Sequence, residues 1–362
     1  MSKSKKKKGT KQTLEFVEEP KKFRVKPIKC KSKKQKEFLE AIEDHTITLC
    51  NGIPGSGKAQ PKNIIIPTPD GYKLFGNLKV GDLVFDRTGK ETKVLNIYNQ
   101  GVIDNYKVTF SDGRYTYCNN EHLWSVYTSR GNLKTITTQE MLDHGLFTHS
   151  NGKTRPIYKI PLNGAVEYNE REFEVSPYVI GAFLGDGCCL EKPLTISSKD
   201  EEIVAYLAHQ LNAVSYTKCS ANNCSWVFKY NELSGKGNKC NLQTSSVLGK
   251  YKDNVIQHCY NKSIPEEYKF GSIEQRKELL RGLLDTDGSA DKRARVSFFT
   301  LSEKLAKDVQ ELCWSLGYIS TIYIDRRDKY VNSNGVGYSV SIQCSLQEKL
   351  SLFRLTRKKE RI

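Results

Sequence analysis

The stretches VIGAFLGDG at residues 179–187 and LRGLLDTDG at residues 280–288 decide the fold of this chain. Each is an apolar run of helical length that ends in Asp-Gly. Ser176 and Pro177 supply a capping hydroxyl and a proline for the first helix. Ser272 and Gln275 can form a capping box for the second. We therefore predict two helices of the same kind, about a hundred residues apart.

The surroundings of these helices repeat as well. A β segment follows each helix, and an amphipathic helix follows each β segment; these lie at 194–197 with 199–212, and at 296–299 with 302–316. Such a duplication predicts two similar halves related by a pseudo-twofold axis.

Small residues recur at four-residue spacing in both helices, as Gly181 with Gly185 and Gly282 with Thr286. This spacing allows two helix backbones to approach closely. Close packing would bring Asp186 and Asp287 together at the helix ends. Two adjacent carboxylates repel each other unless divalent cations lie between them, and such cations can activate water for phosphodiester hydrolysis.

These helices resemble the two motifs of LAGLIDADG homing endonucleases, over about residues 166–355. The resemblance implies an αββαββα domain, active as a monomer, that cuts a long asymmetric site in double-stranded DNA with Mg²⁺. It makes Asp186 and Asp287 catalytic, and places the metal at Asp186, Asp287, Gly187 and Gly288. The segment NKSIPE at 261–266 is similar to the family block that carries a catalytic lysine, which makes Lys262 the candidate. Basic residues expected on the DNA-reading strands are Lys218, Lys229, Arg293, Arg295, Arg326, Arg327 and Lys329.

Short β segments separated by turns begin after residue 59. They contain PTPDG at 67–71, LKVGDLVFD at 78–86 and DGRYTYCNNEHLW at 112–124. These stretches resemble the amino-terminal splicing block of inteins, which implies an all-β Hint-type domain at 59–165.

Protein splicing would begin at the Lys58-Ala59 peptide bond, with His122 acting on the scissile amide. Ala59 has no nucleophile, which leaves two alternatives: a replaced cysteine, or membership of the class 3 inteins. Trp124, two residues after His122, and the opening at 64–71 are similar to class 3 inteins. In that class a cysteine near the carboxyl end attacks the upstream junction.

The first 58 residues carry 16 basic and 7 acidic side chains, a large share of the chain's net charge of +16. A predicted helix at 33–43 and a strand at 46–51 lead into GIPGSGK at 52–58. This order favours a phosphate-binding loop, with Gly52, Gly55, Gly57 and Lys58 on the phosphates. The segment resembles the start of a PhoH-like ATPase. Because Ala59 stands where that loop needs Ser or Thr, we expect ATP binding only in the spliced host protein.

The predicted fold class is α+β and multidomain. A short α/β P-loop ATPase fragment at 1–58 precedes the all-β splicing domain and the pseudo-twofold endonuclease, and 356–362 is a tail. We expect a missing carboxyl-terminal splicing segment as a partner. The net charge favours nucleic acid as another partner. With no signal peptide or apolar run of membrane-spanning length, the prediction is an intracellular, cytoplasmic protein. Two other functions stay open: a trans-splicing half with a degenerate endonuclease, and a DNA-binding scaffold without catalysis.

Overall fold

The computed structural model describes most of the chain after residue 59. The described residues are 60–97, 102–188, 195–219, 224–229, 248, 250–251, 253–255, 258–326 and 336–362. The expected P-loop fragment, with Gly52, Gly55, Gly57, Lys58 and the junction residue Ala59, lies outside them. The chain is mixed α/β with small antiparallel sheets and divides into two compact units.

The first unit is built from β hairpins. The strands of this part of the chain are β1 (Ile65–Thr68), β2 (Gly71–Leu74), β3 (Leu83–Phe85), β4 (Glu91–Lys93), β5 (Tyr106–Thr109), β6 (Tyr115–Cys118), β7 (Leu123–Tyr127), β8 (Leu133–Thr137), β9 (Phe147–Ser150) and β10 (Lys153–Pro156). Consecutive strands pair into two-stranded sheets. Helix α1 (Thr138–His144) begins in a capping box made by Thr137 and Glu140. A small core of Cys118, Trp124, Val126 and Met141 holds β6, β7 and α1 together.

The second unit contains the predicted repeat. Its elements are α2 (Pro177–Asp186), β11 (Gly187–Cys188), β12 (Thr195–Ser197), α3 (Glu201–Gln210), β13 (Ser215–Lys218), β14 (Ser225–Lys229), α4 (Ile273–Asp287), β15 (Gly288–Ala290), β16 (Val296–Thr300), α5 (Glu303–Ser315), β17 (Ile319–Arg326), β18 (Val336–Gln343), α6 (Leu346–Ser351) and α7 (Thr356–Lys359). The two sheets have equivalent strand orders, β11-β12-β14-β13 and β15-β16-β18-β17. Topologically, the duplication read from the sequence is present.

The helix starts differ in how they are capped. Ser272 caps α4 as predicted, because its side chain accepts from the Gln275 amide and the Gln275 side chain accepts from the Ser272 amide. Ser176 makes no side-chain capping bond to α2, contrary to expectation. Pro177 at the first position of α2 has no N–H to satisfy, so the start of α2 has one fewer amide in need of a cap.

The unit boundary differs from the one predicted between 165 and 166. The second unit begins its main run at 162 and also includes 67–72 and 83–92. The segment 83–92 is bonded to the start of that run, since the Gly164 amide donates to Arg87 O (2.8 Å) and the Glu167 amide to Gly89 O (2.8 Å). A sequence boundary cannot express an excursion of this kind.

Residues 356–362, predicted to be a tail, form part of the second unit instead. Helix α7 starts at Thr356, and its Lys358 is only 4% exposed. The segment is held because the Arg357 guanidinium pairs with the Asp200 carboxylate at 2.6 Å and Lys358 reaches the end of α4. No helix in the described part of the chain is long and apolar enough to cross a bilayer.

Helices α2 and α4 pack backbone against backbone at two glycines. A Cβ added to Gly181 would lie 2.2 Å from Leu279 O, and one added to Gly282 would lie 2.2 Å from Tyr178 O. Both contacts are to backbone atoms, which have no rotamer to change. Any larger residue must therefore push the helices apart.

Alanine at Gly282 should destabilise the protein, although Gly to Ala in a helix interior ordinarily stabilises by about 0.5–1 kcal/mol. Overpacking against Tyr178 O should lower the free energy of unfolding by about 2–3 kcal/mol. Urea unfolding measures the change, with Glu274→Ala on the exposed side of α4 as the control, expected within about 0.5 kcal/mol of wild type. An unchanged or higher midpoint for Gly282→Ala would contradict the close packing.

Candidate active site

Asp186 and Asp287 are the last residues of the two packed helices, α2 and α4. Burial raises the pKa of both carboxyls. The negative charge of Asp186 raises that of Asp287 further, to about 7. The two groups therefore act on each other, as the sequence predicted from the helix spacing. An arrangement that keeps two carboxylates this close costs free energy unless something positive lies beside them.

Gly187 and Gly288 are not left-handed helix caps. Their φ values are −74° and −85°, and the chain passes directly from helix into β11 and β15. Glycine is needed for space: a Cβ on Gly288 would lie 2.3 Å from Leu284 O, and one on Gly187 would lie 2.6 Å from Phe183 O. The direct helix-to-strand passage is what puts each aspartate at the junction.

Lys262 holds the end of α2. Its Nζ donates to Phe183 O (2.9 Å), Gly185 O (3.0 Å) and Gly187 O (2.9 Å), and the residue is 4% exposed. The sequence predicted a lysine that orients a phosphate, and that role stays a prediction. The contacts show a lysine that satisfies the terminal carbonyls of the helix, where a positive charge also complements the helix dipole.

Lys358 does the same at the end of α4. Its Nζ donates to the carbonyls of Leu284 (2.7 Å), Thr286 (3.2 Å) and Gly288 (2.7 Å). These carbonyls stand 101 positions after those bound by Lys262, so the two contacts are equivalent in the repeat. Both lysines lower the pKa of Asp186 and of Asp287, partly opposing the effect of burial.

Sequence reasoning missed Lys358 and assigned its segment to a tail. The repeat contained a usable signal. Lys262 follows the first Asp-Gly aspartate by 76 residues, and Lys358 follows the second by 71. Searching the second half for the counterpart of Lys262 leads to the run of basic residues at 357–359.

Asp285 fixes the segment that carries Lys358. Its buried carboxylate accepts from the amides of Arg354 (3.0 Å) and Leu355 (3.2 Å) and from the Tyr178 hydroxyl (2.9 Å). Burial raises the pKa of Asp285 despite these bonds. The carboxylate thus serves structure, two residues before one that points to catalysis, and the sequence did not separate the two roles.

The donors at the helix ends fit a divalent cation in part. The described residues contain no group of three or more His, Cys, Asp or Glu side chains placed to hold a metal. Two repelling carboxylates nevertheless favour a cation between them, and Mg²⁺ commonly takes one or two carboxylates and keeps several waters. The Gly187 and Gly288 carbonyls, predicted as further ligands, already accept from the lysines, and each retains a second lone pair.

A second cluster lies in the first unit, at the residues that resembled a splicing block. His122 and Trp124 are buried, with ring centroids 4.7 Å apart. The Trp124 indole N–H donates to the Thr138 hydroxyl at 2.9 Å, and the Thr138 amide donates to His122 O at 3.0 Å. Thr138, at the start of α1, therefore fixes both residues; the sequence had not singled it out.

Two of the expected DNA-contacting residues have neighbours within the protein. The Lys218 ammonium lies 4.7 Å from the Trp226 ring centroid, and Arg295 pairs with Asp291 at 2.6 Å. Arg327 and Lys329 fall outside the described residues, and for Lys229 only the backbone is described.

Residues 274–349 match the family described as LAGLIDADG-like domain. The chain therefore contains a LAGLIDADG-like domain, and this match covers the second of the two repeats.

Among curated proteins, the replicative DNA helicase DnaB of Mycobacterium intracellulare is 30% identical over 326 residues, 84% of this chain and 50% of that protein. A DNA gyrase polypeptide of Mycobacterium kansasii is 24% identical over 161 residues, 42% of this chain and 28% of that protein. The chain spans about half the length of the first relative and less than a third of the second.

Among solved structures, a variant of I-DmoI in complex with its target DNA in the presence of Mg aligns with 49% of this chain and 92% of its own, at 17% identity and a TM-score of 0.30. The gp41-1 intein aligns with 30% of this chain and 91% of its own, at 26% identity and a TM-score of 0.21. A variant of that intein has 31% identity over 28% of this chain and 76% of its own, with a TM-score of 0.20.

Replacing Asp287 by Asn should stabilise the protein at pH 8. With a pKa raised from 3.8 to about 7, Asp287 binds more protons in the folded than in the unfolded state between those values, so wild-type stability falls as pH rises from about 4 to about 7. Asn does not titrate, and its advantage should reach the order of 2 kcal/mol at pH 8 and shrink toward pH 4.

Thermal unfolding at pH 5 and pH 8 measures this difference. Asp291→Asn is the matched control, because the pKa of exposed Asp291 is lowered to about 2, mainly by Arg295, and its charge does not change between the two pH values. A pH-independent effect of Asp287→Asn would contradict the raised pKa.

Thr138→Val should destabilise the first unit by about 1–3 kcal/mol, because it leaves the buried Trp124 N–H without its acceptor. Thr138→Ser keeps the hydroxyl and should retain most of the stability. Urea unfolding followed by tryptophan fluorescence compares the two variants, and equal losses would show that the methyl group, not the hydroxyl, matters.

Proposed function

We propose that this chain is a site-specific double-strand DNA endonuclease of the LAGLIDADG type that uses Mg²⁺. The observation that carries the proposal is the interaction of Asp186 with Asp287 at the ends of two equivalent helices, each held by its own buried lysine. Two equivalent half-sites suit the two antiparallel strands of a duplex, with one scissile phosphate for each. Because one chain supplies both halves, the endonuclease acts as a monomer.

The residues at the helix ends would divide the work as follows. Asp186 and Asp287 hold the cation, with the Gly187 and Gly288 carbonyls as further oxygen ligands. When bound, the cation lowers the pKa of a coordinated water and stabilises the leaving oxygen of the phosphodiester. Lys262 and Lys358 keep positive charge beside the carboxylates, which favours their ionised form and attracts the phosphate.

The two four-stranded sheets are the proposed DNA-reading surfaces. Strands laid in the major groove place alternate side chains on base edges and phosphates. The first sheet offers Lys218 and Lys229, and the second offers Arg293, Arg295 and Arg326. Because the halves share topology but not side chains, we infer a long, asymmetric target site, with the uninterrupted host gene as the natural candidate.

We further infer that the first unit is the Hint-type part of an intein of class 3 type. Buried His122, next to Trp124 and tied through Thr138, supports a role in acting on the Lys58-Ala59 bond, with a separate carboxyl-terminal segment as the splicing partner. For the host we propose a PhoH-like ATPase, whose Gly52, Gly55, Gly57 and Lys58 bind ATP after splicing. This part of the proposal rests on sequence resemblance alone.

Asparagine at Asp186 or Asp287 should reduce cleavage of a duplex carrying the uninterrupted P-loop codons by at least about 10²-fold, while DNA affinity stays close to wild type. Loss of a metal-binding carboxylate removes the chemistry but not the DNA-binding surface. Gel-resolved cleavage with Mg²⁺ and a separate binding titration without metal measure the two effects, with Asp291→Asn as the control.

The same assays separate the rival functions. Folded wild-type protein that binds the duplex but never cuts it would overturn the endonuclease and leave a DNA-binding scaffold. Folded protein that neither binds nor cuts would favour a splicing half with a degenerate endonuclease. Cleavage retained in both Asp variants would refute the assignment of the metal site.

A further inference from the structure

The hairpin formed by β9 and β10 in the first unit stands out from the rest of that unit. All ten of its residues, 147–156, are exposed, on both faces of the ribbon. Its two-residue turn, Asn151-Gly152, has positive φ at both positions (52° and 70°), as tight hairpin turns of type I′ require. The turn fixes the register and therefore fixes which side chains share a face.

The core of the first unit does not explain this hairpin. Leu146 precedes it, and Tyr158 and Ile160 follow it; all three pack on the core, but no residue of 147–156 does so. The Ile157 amide closes its base by donating to Leu146 O at 3.0 Å. A two-stranded ribbon without a packed face adds little stability. Its side chains are therefore better explained by a binding partner than by the fold.

The pairing register sorts the side chains by chemistry. Lys153 is paired with Ser150 and Arg155 with Thr148, and the alternation of strands puts these four on one face. Every side chain on this face donates hydrogen bonds, and none is acidic. The other face carries Phe147, His149, Thr154 and Pro156, where His149 and Thr154 are already bonded to each other at 3.0 Å.

The charge of this region is one-sided. From Gly145 to Val166 the sequence has no Asp or Glu. Within the described residues, Lys153 and Arg155 make no ion pair with a carboxylate. Two exposed and uncompensated cations on a donor-only face complement a polyanion, and a two-stranded ribbon has the width that the major groove of DNA accepts.

We infer that the Lys153–Arg155 face of this hairpin binds the backbone of duplex DNA, adding phosphate contacts from the first unit to those of the endonuclease. The inference rests on the proposed endonuclease function for the identity of the polyanion. Lysine, arginine and hydroxyl donors to phosphate fix position rather than sequence. The hairpin should therefore lengthen the bound site without changing which bonds are cut.

The test compares the full chain with the double variant K153A/R155A. Losing two phosphate contacts should reduce the slope of log K against log salt by about 1.8, at about 0.9 for each contact. Protection of the target duplex from nuclease digestion should also shorten at one edge. Cleavage of saturating DNA should continue at the same position and at a rate close to wild type, since neither residue is in the proposed catalytic site.

The double variant H149A/T154A, on the opposite face of the same ribbon, is the matched control and should leave slope and footprint unchanged. Equal slopes and footprints for wild type and K153A/R155A would overturn the hairpin contact. Equal losses in both double variants would attribute the effect to the ribbon's structure and would also overturn it. If wild type itself fails to bind DNA, the proposed function fails first, so the two failures are distinguishable.

Discussion

The second unit depends on the close approach of the α2 and α4 backbones at Gly181 and Gly282. A helix pair held apart by side chains would keep its ends farther apart. Here each glycine lies against the carbonyl of the facing helix, with 2.2 Å left for a missing Cβ. This contact sets the distance at which Asp186 and Asp287 meet. Packing density, rather than any preference of the acidic residues, thus creates the charged centre.

The acidic pair is costly, and the structure offsets part of that cost with two lysines. Each lysine satisfies the last carbonyls of one helix and places a positive charge beside the carboxylates. The same groups therefore terminate the helices and moderate the pKa of the aspartates. The arrangement still leaves the pKa of Asp287 near 7, so the site retains an unmet demand for positive charge. A phosphodiester substrate with its cation would meet that demand.

The predicted and observed features divide by the range of the interactions behind them. The repeated helices, the capping box at Ser272, the hairpin strands and the two aspartates follow from local patterns of apolar, capping and turn residues. The bonds from 83–92 to 164–167 and the burial of 356–362 were not predicted, because they join segments about 70 or more residues apart. The missing cap at Ser176 is a local failure, since a hydroxyl at the right position is permitted to cap but not obliged to.

The sequence by itself determined the class of elements, their duplication and the identity of the acidic residues, since periodicity and turn chemistry are written in neighbouring positions. Tertiary structure decided that Lys358 is the counterpart of Lys262, that Asp285 is structural while Asp287 is a candidate for catalysis, and that Thr138 ties His122 to Trp124. The physical reason is the same in each case. A side chain's role depends on the burial and the partners that folding gives it, and residues of identical chemistry become different only when distant segments enclose them.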